Sequence, residues 1–207
     1  MSDHTIIITD YSNLKKMLNR TQPTGKLIII SGPSGAGKTT LIDQVLESIP
    51  NITCAKSATT RPQRHTETDA DYYFLSDEQF DQKIKSDAFV EWCNVHQNRY
   101  GTLKEEVVNH LQNGKHILLE IDVQGTRKVQ DKFPEVIKIF IAPPSIDALR
   151  QRLIDRKTDS QDVIEARLNV AKKELESIDE YDYIIENVNL DESNQLLNRY
   201  LTSKLSV

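Results

Sequence analysis

The sequence predicts an α/β fold of three layers, with a mainly parallel central sheet. Short apolar segments alternate along the chain with longer segments that have helical character, which is typical of a parallel sheet covered by helices. The first apolar segment runs directly into a glycine-rich turn that is followed by a helix. One long polar segment interrupts the alternation, and it predicts a lobe inserted into the main body.

The predicted elements of the main body follow one another in a regular order. Strands are predicted where apolar runs end at a glycine, a proline or a polar group, at 26–31, 116–122, 136–142 and 181–187. The double proline after Ala142 stops the third of these strands, because proline lacks a backbone donor. Helices are predicted between the strands, at about 38–47, 105–112, 146–156, 161–177 and 190–204.

The domain organisation is indicated by the segments in which predicted strands and helices do not alternate. Residues 1–25 are predicted to be an N-terminal extension, in which "TIIIT" could form a short strand and "YSNLKKMLNR" a helical turn or two, closed by the breaker-rich "TQPTG". Residues 26–207 are predicted to be one domain. Within it, the inserted lobe occupies about 59–102, and a second irregular segment, dense in arginine and aspartate, occupies about 150–167.

Composition limits the class of protein. The chain has 207 residues, 38% hydrophobic and 28% charged, which favours an ordered soluble protein with one good-sized core. Its apolar runs are far shorter than the ~20 residues that span a bilayer, and the N-terminus lacks the pattern of a secretory signal, so a cytoplasmic protein without a membrane partner is expected. The net charge of −5 disfavours nucleic-acid binding, and neither a monomer nor a homodimer is excluded. Cys54 and Cys93 lack metal-site spacing and are expected to be reduced and buried.

The glycine-rich turn has the spacing of a phosphate-binding loop. Residues 32–39, "GPSGAGKT", match G-x-x-x-x-G-K-[ST] between a predicted strand and a predicted helix. Glycines let the backbone N–H groups turn inward around an anion, and the helix N-terminus adds a positive dipole end. Lys38 can then reach the β- and γ-phosphates of a nucleoside triphosphate, while the Thr39 hydroxyl can bind Mg²⁺. The predicted donor-nucleotide residues are Gly32, Pro33, Ser34, Gly35, Ala36, Gly37, Lys38, Thr39 and Thr40.

Two carboxylates end the second predicted strand of the main body. Glu120 and Asp122 are two residues apart, so a strand would place both on one face, with Ile121 on the other. Beside a phosphate-binding loop, this pair is a natural place to hold or orient Mg²⁺ and a second ligand.

Several motifs in order resemble the guanylate kinase family, whose members transfer the γ-phosphate of ATP to GMP. They are "SATTRPQRHTETDADYYF", "FVEWCNVHQNRYGT" and "LLEIDVQG", and the resemblance covers the chain from about residue 26 to its end. It implies a nucleotide-monophosphate-binding lobe at the inserted segment and a short lid at the second irregular segment. It also implies ATP with Mg²⁺ as the donor, and GMP and dGMP as acceptors.

The resemblance assigns roles to particular residues. The implied acceptor-binding residues are Ser57, Arg61, Arg64, Tyr73, Glu91, Tyr100, Thr102 and Glu120. The implied catalytic residues are Lys38, Arg61 and the lid arginines Arg152, Arg156 and Arg167. Thr39 and Asp122 are the implied magnesium ligands, and Asn187 corresponds to a residue near the adenine of the donor.

Physical chemistry supports these roles independently. A monophosphate is a dianion, and arginine matches its oxygens with a fork of donors, as Arg61 and Arg64 could. Guanine presents two donors, N1–H and its exocyclic amine, that one carboxylate such as Glu91 can accept, whereas adenine presents a lone pair at N1. Mobile arginines in a lid can stabilise the charge that develops on the transferred group.

The chain departs from the family pattern at glycines. Thr66, Ala70, Gln97, Asp155 and Lys157 stand where the family has glycine. Each replacement removes easy access to positive φ, so loop motion and rate are expected to differ from the family more than the type of reaction. Arg99 and Lys157 are expected to be solvated surface residues, and Arg150 to form an exposed ion pair.

Two alternatives remain open from the sequence. The chain could be a kinase of another small phosphorylated acceptor, or a non-catalytic guanylate-kinase-like module that binds other proteins. Glu91 with Thr102 and Ser57 disfavours the first alternative, and the intact Lys38 and lid arginines disfavour the second.

Overall fold

The computed structural model describes residues 25–65, 67–95, 97–157 and 159–205. The short strand and helical turns predicted before residue 25 lie outside these residues, as does Thr66, one of the replaced glycines. The strands are β1 (Leu27–Ser31), β2 (Ile52–Cys54), β3 (Ser57–Thr59), β4 (Tyr73–Phe74), β5 (Phe89–Val95), β6 (Asn98–Leu103), β7 (His116–Glu120), β8 (Ile137–Ala142) and β9 (Tyr183–Glu186). The α-helices are α1 (Lys38–Ser48), α2 (Asp77–Lys85), α3 (Lys104–Gln112), α4 (Val123–Lys132), α5 (Ile146–Asp155), α6 (Gln161–Leu175) and α7 (Leu190–Leu205), with a 3₁₀ turn at Ile178–Glu180.

The central sheet is parallel and has β1 at its middle. Its strand order is β2-β7-β1-β8-β9, and every neighbouring pair runs parallel. This order confirms the predicted α/β fold with a mainly parallel sheet. The chain leaves β1 toward α1 between the ends of β7 and β8, and ligands of such sheets bind at the carboxyl ends of the strands.

The alternation of β1 explains the three layers. Ile28 and Ile30 face a core formed with α1 and α7, whereas Leu27 and Ile29 face a second core formed with α3 and α4. Side chains that alternate between two buried faces make the strand apolar throughout, as its sequence "LIIIS" shows. Full burial of one such side chain contributes about 1.5–3 kcal/mol, so these strands hold the loops at their ends in place.

A second, mixed sheet occupies the inserted segment. It has the strand order β4-β3-β6-β5, and it begins at Ser57 and ends at Leu103, close to the predicted limits of 59 and 102. Its own small core contains Phe80 of α2 stacked on Phe89 of β5, with ring centroids 4.6 Å apart. This core is separate from the two cores of the central sheet, so the sheet forms a distinct lobe.

Helices α5 and α6 form the segment predicted as a lid. They pack through Leu149, Leu153, Ile164 and Leu168, and a short turn joins them. Lys157 in this turn has φ of 53°, a left-handed conformation that glycine adopts more easily. Ala70 and Asp155 are not among the positive-φ residues of the described ranges, so a missing glycine matters to the backbone at Lys157 and not at these two positions.

One strand end was predicted wrongly, and two elements of the main body were not predicted. The strand predicted at 116–122 ends at Glu120, and Asp122 instead caps the N-terminus of α4, a helix that the sequence analysis did not predict. Strand β2 was also missed, because three residues are too few for a periodic pattern.

No helix in the described part of the chain is long and apolar enough to cross a membrane.

Candidate active site

A cleft of about 440 Å³ lies between the central sheet and the inserted lobe. One wall is the glycine-rich loop after β1, with Gly32, Gly35, Lys38 and Thr39 among its residues. The opposite wall comes from the lobe, and the carboxyl end of β7 forms the floor. The cleft thus joins the predicted donor loop to predicted acceptor residues, and its lobe and floor residues include Ser57, Tyr72, Glu91, Tyr100, Glu120 and Asp122.

The loop's glycines are required by close contacts. Gly32 has φ of 137°, and a Cβ there would lie 2.2 Å from the carbonyl oxygen of Ile141 in β8. Gly37 has φ of 97°, and its Cβ would lie 2.4 Å from Nδ2 of Asn187. The backbone of β8 excludes a side chain at position 32, and the positive φ together with the Asn187 side chain disfavours one at position 37. The loop therefore lies tightly against β8 and the residue that follows β9.

Lys38 and two further side chains hold the loop together. The Lys38 ammonium donates to the carbonyl oxygens of Gly32 (2.6 Å) and Pro33 (3.1 Å). Asn187 Nδ2 donates to the carbonyl oxygen of Ala36 (2.7 Å), and Arg152 Nη1 approaches the same oxygen at 3.4 Å. Arg152 also donates through Nη2 to the carbonyl oxygen of Asn187 (2.7 Å).

Asn187 binds the backbone of the glycine-rich loop, a contact that was not predicted for a residue near the adenine of the donor. Its side chain is 4% exposed and is bonded to the loop backbone. It also lines a second cavity of about 430 Å³, together with Arg152, Arg156, Val188 and Leu190. The expected adenine contact stays a prediction for this second cavity.

The Thr39 hydroxyl lies beside Glu120 rather than Asp122. Its Oγ1 donates to the two carboxylate oxygens of Glu120, at 3.3 and 3.4 Å. Asp122 Oδ1 accepts from the backbone N–H of Gly125 (2.7 Å) and from the thiol of Cys93 (3.4 Å), as expected of a helix cap. A hydroxyl and a carboxylate are ligands that suit Mg²⁺, so the donor set at Thr39 and Glu120 fits this ion.

Asp122 stays a predicted magnesium ligand, although its surroundings differ from those expected. It was expected to share a strand face with Glu120, and the strand ends before it. No cluster of three or more histidine, cysteine, aspartate or glutamate residues suited to a metal occurs in the described ranges. Mg²⁺ usually takes only one or two ligands from protein carboxylates and keeps water and substrate phosphate oxygens as its other ligands.

Glu91 is a buried carboxylate at the base of the acceptor side. It is 3% exposed, and the Thr102 hydroxyl donates to its Oε1 (2.9 Å). Burial raises the pKa of Glu91 to about 7, the bond from Thr102 opposes this shift, and the charge of Asp122 adds to it. Thr102 fixes one oxygen of the carboxylate across the β5–β6 pair, where the two residues are register partners.

The Arg61 guanidinium is paired within the lobe. It donates to both carboxylate oxygens of Glu67, at 2.8 and 2.9 Å, and through Nε to the Tyr100 hydroxyl (3.2 Å). Glu67 also accepts from the backbone N–H of Arg64 (2.9 Å), while the Arg64 side chain is 63% exposed. Glu67 was not among the predicted site residues, although an acid six residues after Arg61 in an arginine-rich loop was a usable signal.

Tyr73 differs from its expected position. Its hydroxyl donates to Glu106 in α3, and the Lys56 ammonium lies 3.8 Å from its ring centroid. Tyr72, which was not assigned a role, lines the cleft instead. Tyr72 precedes β4 and Tyr73 is its first residue, and the two side chains have different surroundings.

The arginines of the second irregular segment have different environments. Arg167 Nη1 donates to the Ser34 hydroxyl of the loop (3.0 Å), and its Nε lies 3.4 Å from Asp159. Arg156 lines both the cleft and the second cavity. Arg150 pairs with Glu165, as expected of a surface ion pair.

Arg99 was expected to be a solvated surface residue, and the two cysteines were expected to be reduced and buried. Arg99 pairs with Asp77 and Asp81 on the surface of the lobe and is not part of the cleft. Both cysteines are free, Cys93 buried and Cys54 partly buried. Burial is the largest cause that raises the pKa of Cys54, to about 12, and it also raises the pKa of Cys93, so neither thiol is activated.

Comparisons with known proteins show which family the chain belongs to. The sequence profile described as guanylate kinase matches residues 24–204. A guanylate kinase from Syntrophomonas wolfei is 46% identical over 172 residues, which cover 83% of this chain and 88% of that protein. One from Thermotoga maritima is 42% identical over 174 residues, covering 84% of each chain.

A solved structure agrees as well. The crystal structure of guanylate kinase from Anaplasma phagocytophilum superimposes with a TM-score of 0.74 at 30% identity, covering 88% of this chain and 87% of that one. The profile includes the loop and the lobe, and the two relatives cover 83% and 84% of this chain. The chain therefore belongs to the guanylate kinase family.

Proposed function

We propose that this protein is an ATP:GMP phosphotransferase, which transfers the γ-phosphate of ATP to GMP, and also to dGMP, giving ADP and the nucleoside diphosphate. The observation that carries the proposal is a single cleft with a phosphate-binding loop on one wall and the buried Glu91–Thr102 pair on the other. Family membership supports it, because the matching relatives are named guanylate kinases.

Guanine recognition is assigned to Glu91. The carboxylate would accept from N1–H and from the exocyclic amine, with Thr102 holding Oε1 in position. A buried acceptor that stays unpaired costs several kcal/mol, so adenine, which offers no donor at N1, would be rejected strongly. Two donors from guanine also favour the ionised carboxylate, which opposes the rise in pKa caused by burial.

The acceptor's phosphate is assigned to the region around Tyr100. Ser57 and Tyr100 line the cleft, and Arg61 reaches it through its bond to the Tyr100 hydroxyl. The exposed Arg64 side chain, whose Nη1 lies 3.7 Å from Glu67 Oε1, would turn inward when a dianion arrives. Glu67 would then keep Arg61 in its present orientation, since two parallel hydrogen bonds fix a guanidinium plane.

The donor is assigned to the loop after β1. Backbone N–H groups would surround the β- and γ-phosphates, and Lys38 would exchange the carbonyl oxygens of Gly32 and Pro33 for phosphate oxygens. Thr39 and Glu120 would hold Mg²⁺, which supplies positive charge to the β- and γ-phosphates and orients them. Asp122, bonded to Gly125 and close to Glu91, is assigned to the acceptor side.

Transfer itself needs position and charge rather than a protein nucleophile. A phosphate oxygen of the acceptor attacks the γ-phosphorus in line, and the protein stabilises negative charge on the transferred group. Arg152, Arg156 and Arg167 lie on or between α5 and α6, within reach of the loop. Closure of this segment would bring them onto the reacting groups and exclude water, which otherwise competes for the phosphoryl group.

A panel of acceptors tests the proposal. Purified protein with ATP and Mg²⁺ is offered GMP, dGMP, AMP, UMP and CMP, and ADP formation is followed. The highest kcat/KM is expected with a guanine nucleotide. A higher value with any other monophosphate, or no ADP formation with any of them, would overturn the proposal.

A further inference from the structure

Strand β5, which carries Glu91, is the last strand of the lobe's sheet, and it packs against α4 of the main body. The outer edge of such a strand presents carbonyl groups that no neighbouring strand binds, and two lysines of α4 lie beside this edge. The Lys132 ammonium donates to the carbonyl oxygen of Val90 (2.6 Å), and the Lys128 ammonium donates to that of Trp92. The two carbonyl groups belong to the residues on either side of Glu91.

The side chains on either side of Glu91 also contact α4. Val90 is fully buried and shares one core of the central sheet with Val129 of α4. The Lys128 ammonium lies 5.1 Å from the ring centroid of Trp92, within the range of a cation–π contact. The backbone at Glu91 is therefore held to α4 through both of its neighbours, and α4 belongs to the main body rather than to the lobe.

The Glu91 carboxylate lies against the first turn of α4. Thr102 donates to its Oε1, and a Cβ at Gly125 would lie 2.9 Å from its Oε2, closer than a side-chain carbon normally approaches. Gly125 does not have a positive φ, so its backbone conformation does not require glycine. Glycine is also unfavourable within a helix. Space for Oε2 is therefore the physical reason for a glycine at this position.

The charge of Lys128 favours the form of Glu91 that accepts from guanine. Burial raises the pKa of Glu91 to about 7, and both the bond from Thr102 and the Lys128 charge oppose this rise. An ionised carboxylate only accepts hydrogen bonds, whereas a protonated one also presents a donor. Lys128 therefore acts on the charge of Glu91 as well as on its position.

We propose that α4 positions the carboxylate that binds guanine. Lys128 and Lys132 hold the backbone on either side of Glu91, and Gly125 leaves room for Oε2. The three residues of α4 are positioning residues, because they act through Glu91. The inference rests on the proposed function in taking Glu91 as the residue that binds guanine. Since Val129 anchors α4 in a core of the central sheet, the guanine-binding group is fixed relative to the sheet that carries the phosphate-binding loop.

Steady-state kinetics of single variants are the first test. Gly125→Ala places a methyl group against Oε2 and should raise KM for GMP about tenfold or more, with kcat and KM for ATP unchanged. Lys128→Met and Lys132→Met each remove one bond to a carbonyl group and should raise KM for GMP about threefold or more. Lys128→Arg keeps a donor and should behave as wild type. Arg127→Met, also on α4 but paired with Glu180, is the matched control and should leave KM unchanged.

The same substitutions in a Glu91→Gln background show whether they act through the carboxylate. There Gly125→Ala should change KM for GMP by less than about twofold, because the group that it displaces no longer binds guanine as wild type does. The same factor in both backgrounds, or an unchanged KM in Gly125→Ala alone, would overturn the inference. A KM of Lys128→Arg as high as that of Lys128→Met would overturn the role of the Lys128 bond.

Crystal structures of the ligand-free wild type and Gly125→Ala provide a readout that does not depend on activity. Oε2 of Glu91 should be displaced in the variant, and a carboxylate at its wild-type position would overturn the inference. If the wild type forms no ADP with GMP, the proposed function fails, and the displacement of Oε2 still tests positioning by α4. Thermal unfolding checks that each variant is folded.

Discussion

The two walls of the cleft are built differently. The donor wall is mainly backbone, and its shape depends on glycines pressed against β8 and Asn187. The acceptor wall is mainly side chains on a separate four-stranded sheet, and its charged groups already have partners, as Arg61 has in Glu67 and Glu91 has in Thr102.

The two walls are therefore expected to bind their ligands in different ways. The donor wall offers backbone N–H groups that need little rearrangement, apart from the release of Lys38 from two carbonyl oxygens. The acceptor wall is organised by internal pairs, so its selectivity depends on a few side chains that hold one another in position. Substitutions should therefore act on turnover at the donor wall and on acceptor affinity at the acceptor wall.

The largest effect is expected from Lys38→Met at the donor wall. Removing a preorganised cation from the transferred phosphate should lower kcat about 100-fold or more, with GMP affinity unchanged. Steady-state kinetics and GMP titration measure the two quantities. Lys85→Met, on the exposed face of α2, is the matched control and should behave as wild type. Near-normal turnover by Lys38→Met would contradict the different roles of the donor wall and the acceptor wall.

Glu91→Gln should have the next largest effect, at the acceptor wall. The amide presents a donor where guanine also presents one, so KM for GMP should rise about 100-fold or more while KM for ATP stays near its wild-type value. Because the pKa of Glu91 is about 7, KM of the wild type for GMP should also rise as pH falls below neutrality. A pH profile of the wild type that matches that of Glu91→Gln would contradict this role.

The same residue should make stability depend on pH. The folded pKa of about 7 lies above the ordinary value of 4.5, so the folded protein keeps a proton that the unfolded chain releases in this range. The wild type should therefore lose stability relative to Glu91→Gln as pH rises from 4.5 through 7, by at most about 3 kcal/mol. Urea unfolding without nucleotide at pH 5 and pH 8 measures the difference, and an equal gap at both values would refute it.

Glu67→Gln should have a smaller effect that is confined to the acceptor. One bond to Arg61 is lost and the other weakened, so KM for GMP should rise, up to about tenfold, with little change in kcat or in KM for ATP. Glu186→Gln, exposed on the edge strand β9, is the control. A lower KM for GMP would mean that Glu67 competes with the phosphate for Arg61 instead of positioning it.

Arg150→Ala should have the smallest effect. Its partner Glu165 is a surface residue of the neighbouring helix, and such pairs contribute little to stability. Neither kcat nor the midpoint of thermal unfolding should change measurably. Arg167→Ala, which removes the contact with Ser34, should lower kcat, and equal behaviour of the two variants would contradict the different roles of these arginines.

The sequence analysis was most successful where the signal is local. The strand, turn and helix around Lys38 were predicted correctly, because hydrophobic periodicity and glycine spacing report directly on backbone conformation. Helix α4 was missed, since "VQGTRKVQDK" is polar and its start depends on Asp122 as a cap rather than on a periodic apolar pattern. Because the strand ends two residues early, Asp122 caps this helix and does not share a strand face with Glu120.

Pairings between distant residues could not be predicted in the same way. The bond from Asn187 to Ala36 joins residues 151 positions apart, and that from Thr39 to Glu120 joins residues 81 apart. Tyr72 and Tyr73 show the limit most clearly, because a shift of one residue exchanges the two faces of a strand. Their orientation depends on β4 pairing with β3, where Tyr73 is the register partner of Ala58.

The sequence by itself determined the family, the α/β class and the phosphate-binding loop, because each depends on residue types at fixed spacings along a continuous segment. The tertiary structure alone decided which carboxylate approaches Thr39, which tyrosine lines the cleft and what Arg61 is paired with. The physical reason is that strand register and helix packing bring those groups together. A shift of one residue along a strand turns a side chain to the opposite face of the sheet, and a residue that caps a helix points toward the helix end.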